Sequence, residues 1–104
     1  MNETNWSVEI VTRGRDGNVI YREDSNAISF YWEFGGTVVA IVHVEPASRW
    51  DECYPWAAGR RQKILERLVS EIIRQKARGC WASMDEENGT ILFRENPKAG
   101  GREP

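Results

Sequence analysis

From Trp6 to Arg13 apolar and polar residues alternate, with Trp6, Val8 and Ile10 on one side and Ser7, Glu9 and Arg13 on the other. That spacing predicts a half-buried strand. Gly14-Arg15-Asp16-Gly17-Asn18 reads as a turn, because Gly and Asp-Gly accept positive φ at little cost. A second strand is expected over Val19–Glu23, and Asp24-Ser25-Asn26 forms another turn. Ala27–Phe34 sets Ile28, Phe30, Trp32 and Phe34 opposite Ser29, Tyr31 and Glu33, the clearest strand pattern in the chain. Gly35-Gly36 fits a two-residue hairpin turn. Thr37–Glu45 is apolar on both faces, as in a central strand covered on both sides, and Pro46 ends it.

Beyond residue 55 the period changes. Ile64, Leu65, Leu68, Val69, Ile72 and Ile73 cover about half the circumference of a helix expected near residues 56–78. Pro55 suits its first turn and Gly79 its C-terminal stop. Cys80–Asp85 and Thr90–Glu95 read as a closing hairpin with Asn88-Gly89 as a type I′ turn. The expectation is an α+β domain: a mainly antiparallel sheet of about six strands, ordered β-β-β-β-α-β-β, with one long helix on one face. It spans residues 1–95, followed by a disordered Pro/Gly-rich tail over 96–104. One helix covers only one face of such a sheet, so the other face is solvated, curved or occupied by a partner.

Composition narrows the class without naming a reaction. The 104 residues match one domain, and 40% hydrophobic with 29% charged is ordinary for a soluble chain. Cys53 and Cys80 make neither a disulfide framework nor a metal pair, and with no leader pattern at MNETNW they imply reduced thiols in the cytoplasm. No apolar run approaches the length of a membrane span. Net charge is −2, yet between Ala57 and Arg78 seven basic residues face two acidic ones. Arg60, Lys63, Arg67, Arg74 and Arg78 fall along one outer stripe of the helix. A pI near 5.5 and the absence of a nucleic-acid motif make a solvated face, or an acidic protein partner, the better reading of that stripe.

Catalytic and metal chemistry find little footing. Asp51 and Glu52 beside Cys53 would raise its thiol pKa, the opposite of what a nucleophile needs. One His and scattered acids give no metal spacing, and Asp85-Glu86-Glu87 reads as a hairpin tip. No cofactor motif is present. The segment 45–56 is the most concentrated in chemistry, with Trp50, Asp51, Glu52, Tyr54 and Trp56 in close succession. Loops carry function and Trp, Tyr and Arg dominate hot spots, so these residues with Arg60, Arg67 and Arg74 are the partner-binding candidates. The same aromatics also suit packing over the sheet and helix start, and Ser48 to Asp51 matches a capping box for a short helical turn.

The run Val19–Arg94 resembles the small α+β immunity proteins that bacteria encode beside polymorphic toxins. The likeness lies in the strand meander, the W-x-x-x-Y-P-W segment from Trp50 to Trp56, the helix RRQKILERLVSEII and the closing strand pair. It implies a non-enzymatic inhibitor of a toxin domain in the cytoplasm and carries over no individual functional residue. The leading expectation is therefore a non-catalytic protein-binding domain using the aromatic loop and the open sheet face, with self-association a related outcome. The rival is a small enzyme in which His43, Glu45 and Asp51 converge beside the loop.

Overall fold

A computed structural model describes residues 5–96. Among them β1 (Trp6–Arg13), β2 (Asp16–Glu23), β3 (Asn26–Phe34) and β4 (Ala40–His43) form an antiparallel meander. After α1 (Ala47–Cys53), a 3-10 turn at Pro55–Ala57 and α2 (Arg61–Gln75), the chain adds β5 (Cys80–Asp85) and β6 (Thr90–Glu95). The six strands lie in the order β1-β2-β3-β4-β6-β5, so β6 pairs with β4, and β1 and β5 are the edges. The expected α+β class and antiparallel sheet are present; the single long helix is replaced by two.

The added helix is α1, and the long helix expected near residues 56–78 is the shorter α2, whose late start Gly59 helps set. Gly59 adopts φ +76 after Ala58 at ψ 136, and this left-handed step breaks the helical path between the 3-10 turn and α2. Its N–H donates to Asp51 Oδ1 at 2.9 Å, tying the break to α1. The helical turn expected at Ser48–Asp51 exists as α1, but Pro46 is its N-cap and no side chain caps it.

Turn composition misplaces several strand ends. Asp16-Gly17 belongs to β2, and the connection shrinks to Gly14-Arg15. Gly17 is needed for close approach: a Cβ there would lie 1.8 Å from the Val11 carbonyl oxygen, which accepts the Trp32 indole N–H at 3.1 Å. The Gly35-Gly36 turn opens into a wider loop, and β4 starts only at Ala40. Gly35 N–H reaches the Val39 carbonyl at 3.4 Å, while Val39 N–H donates to Phe93 at 2.7 Å. Strand β4 is covered on one face, since Ile41 and His43 point away from the core. At the last hairpin four residues separate Asp85 from Thr90, and Gly89 has positive φ while Asn88 does not, which excludes a type I′ turn. Asp85 instead accepts the Asn88 N–H and side-chain amide, bonds that hold its carboxyl below the usual range.

Alternation assigns the two sheet faces. Val19, Tyr21, Phe30, Trp32, Val42, Ile91 and Phe93 meet Ile64, Leu68 and Ile72 of α2 and Trp50 of α1 in one core. Both helices lie on that side. The expectation of a disordered tail falls on residues 97–104, outside the described residues, except for Asn96, whose N–H donates to Gly79 at 2.8 Å.

Candidate functional site

The aromatic segment folds inward. Trp50 is 1% exposed, stacks on Phe30 with ring centroids 6.4 Å apart, and meets Tyr54 edge-on at 4.7 Å. Its indole N–H donates to the buried Ala57 carbonyl at 3.0 Å, so both its apolar body and its polar handle are used internally. Tyr54 and Trp56 are partly buried against the same core. Burial and then the Glu45 charge push the Tyr54 hydroxyl pKa up. Asp51 and Glu52 remain exposed on α1, with Asp51 bonded to Gly59.

The basic stripe is also engaged within the chain. Arg60 pairs with Glu23, and that carboxylate raises the Arg60 pKa further. Arg67 reaches the Tyr21 hydroxyl at 2.8 Å and Glu23 at 3.5 Å, and its guanidinium lies 5.0 Å over the Trp6 ring. Arg74 chelates Glu71 at 2.7 Å; with Gln75 it holds the Glu71 carboxyl below its ordinary range. Arg67, expected on the outer face, is thus drawn toward the sheet by an inward-facing carboxylate. Glu23 went unrecognised in the sequence, although Val19, Tyr21 and Glu23 share one strand face. It is buried, and its Oε1 has no hydrogen-bond partner among the described residues.

Among the described residues, what stays uncovered is the face opposite the helices. The strand register arranges it in rows. Glu33, Ile41, Leu92 and Ser83 form one row across β3, β4, β6 and β5, and Arg94 with Trp81 forms part of the next. On the other side of the first row sit Tyr31 and His43, their rings 5.5 Å apart. Tyr31 is 41% exposed and Trp81 44%. Between them Ile41 and Leu92 are half-buried. The rim is polar: Tyr31 donates to Asp16 at 2.8 Å, His43 Nε2 meets Glu33 at 2.7 Å, and Arg94 lies 5.6 Å over Trp81. The bond to Asp16 raises the Tyr31 pKa, since it holds the hydroxyl in its protonated form.

His43 therefore has Glu33 as its carboxylate neighbour. Of the two acids expected beside it, Glu45 offers its backbone carbonyl to Arg61 at 3.1 Å, and Asp51 binds Gly59. Cys53 and Cys80 are free thiols, and burial followed by Glu95 pushes the Cys80 pKa up. Among the described residues no cluster of His, Cys, Asp or Glu is arranged to hold a metal ion, and no helix is long and apolar enough to cross a membrane. No protein-family model, curated protein or solved structure matches the chain.

Proposed function

We propose that this chain is a non-catalytic protein-binding domain, of the immunity or adaptor kind, that acts in the cytoplasm and docks through its uncovered sheet face. The observation carrying this reading is the patch Tyr31–Ile41–Leu92–Trp81 on a face that no element among the described residues covers. A solvated antiparallel face ordinarily presents polar residues between its strands' inward positions. Here two aliphatic side chains sit between two half-exposed aromatics, ringed by Arg, Glu, Asp and His. An apolar centre with a polar rim and aromatic anchors is the anatomy of a docking surface. A toxin domain is the partner class supported by the layout resemblance, and a second copy of the chain would use the same surface. A second reading, acid–base chemistry at His43, draws on Glu33 at 2.7 Å. It calls for a concave site beside the pair.

A photo-cross-linking aromatic amino acid installed at Tyr31, at Trp81 or at Trp56 in the source cell separates the surfaces. The expected result is one discrete adduct of defined mass from Tyr31 and Trp81 and none from Trp56. Adducts from Trp56 alone, or silence at all three, would overturn the reading.

A further inference from the structure

On the other face, where α2 ends before the sheet does, an apolar cleft of about 290 Å³ runs beneath the last helical turn. Its floor crosses the sheet from Ile10 on β1 to Phe93 on β6, and Ile72 and Ala77 form its roof. Two side chains of its lining, Thr12 and Lys76, carry a free polar group; the Trp32 indole N–H is already bonded to Val11. At its lip Phe34 is 47% exposed and Val39 38%. Lys76, just past the end of α2, is exposed and makes no ion pair with any described residue.

We infer that this cleft is a binding site for a medium-chain aliphatic carboxylate, its hydrocarbon chain lying across the strands and its carboxylate meeting Lys76. Shape supports a linear guest. The lining draws on β1, β2, β3, β4 and β6 in turn, so the cleft is elongated across the strands. At about 290 Å³ the cleft lies at the small end of ligand pockets, room for one acyl chain. Charge supports an acid: the one ionic group of the lining is a cation with no ion-pair partner among the described residues, and an ammonium guest would meet repulsion there. Phe34 and Val39, two apolar side chains left partly in water, gain cover once the chain is seated. The site is independent of docking on the opposite face, so either reading stands or falls without the other.

The test is titration of the full chain with sodium decanoate, with decanol and decyltrimethylammonium as controls, followed by methyl NMR and calorimetry. Decanoate is expected to shift the methyl signals of Ile10, Val39 and Ile72 while those of Ile41 and Leu92 stay still. Lys76→Met, which keeps the aliphatic stem, is expected to weaken decanoate roughly fivefold, the scale of one half-exposed ion pair, and to leave decanol unchanged. Val39→Glu, at the exposed lip, is expected to weaken decanoate as well without unfolding the chain. No shift at Ile10, Val39 and Ile72 at millimolar decanoate would overturn the assignment. So would tighter binding of the ammonium amphiphile, or indifference of decanoate to both substitutions.

Discussion

Trp50→Ala is expected to destabilise the fold by about 3–5 kcal/mol, the range for removing a fully buried Trp. The substitution empties the space between Phe30, Tyr54 and the 3-10 turn, and it removes one of two donors to the Ala57 carbonyl, which keeps the Arg60 N–H at 3.0 Å. Loss of that one hydrogen bond costs about 0.5–1.5 kcal/mol, part of the total. Trp50→Phe keeps an aromatic ring against Phe30 and loses the hydrogen bond, so its cost should be intermediate. Urea unfolding followed by far-UV circular dichroism measures both. A loss under about 1 kcal/mol for Trp50→Ala would mean that this side chain is at the surface and that the loop is free to bind. The result bears on function directly, since a residue type typical of hot spots is here a keystone of packing.

The second large effect concerns Glu23. Its carboxylate is buried between Arg60 and Arg67, and one oxygen has no hydrogen-bond partner among the described residues. Taking away both cations leaves a charge in a low-dielectric setting, a situation that costs about 3–5 kcal/mol where a pair is fully buried. Arg60 is partly exposed, so the lower end of that range is expected for Arg60→Met with Arg67→Met. Adding Glu23→Leu removes the stranded charge and should recover most of the loss, because a buried ion pair replaced by packed apolar groups is often neutral. Chemical unfolding of the double and triple variants decides it. A triple variant no more stable than the double would show that Glu23 contributes through something other than its pairing with these two arginines. The Tyr21 hydroxyl also loses its Arg67 partner in both variants and so cancels from the comparison.

Strands with strict alternation were legible from residues alone. The range Trp6–Arg13 is the observed β1, and Ala27–Phe34 misses β3 by one residue. Residues with two physical uses misled. Gly17 follows Asp16 and reads as a turn, yet it is a strand residue pressed by the Val11 carbonyl. Gly59 lies inside a segment rich in helix formers, and its left-handed φ together with the extended Ala58 ends the helical path there. Asn88-Gly89 is the strongest short hairpin signal in the chain, but Asp85 binds Asn88 and builds a four-residue loop instead.

For the site, composition located the aromatic segment without revealing which way it faces. Trp50 turns inward because α1 lies over Phe30, a placement that depends on where Gly59 breaks the chain. Glu23 was within reach, since the period of two that puts Val19 and Tyr21 in the core puts a carboxylate there too. That carboxylate is why Arg60 and Arg67 are drawn in and the basic stripe is interrupted. The imbalance between a broad sheet and little helix was visible early, and it persists with two helices because both lie on one side. Tyr31 and Ile41 could be assigned to the uncovered face by alternation; their proximity to Leu92 and Trp81 required the β4–β6 pairing, which only the folded chain reveals.

The account turns on which indoles meet solvent. A titration of the dilute, ¹⁵N-labelled protein with a soluble paramagnetic agent, observed at the Trp Nε1–H signals, reads this directly. Trp81 is expected to broaden at the lowest agent concentrations, while Trp50 and Trp32, bonded to Ala57 and Val11, persist. Early loss of the Trp50 signal together with protection of Trp81 in the monomer would contradict it, returning the binding surface to the loop.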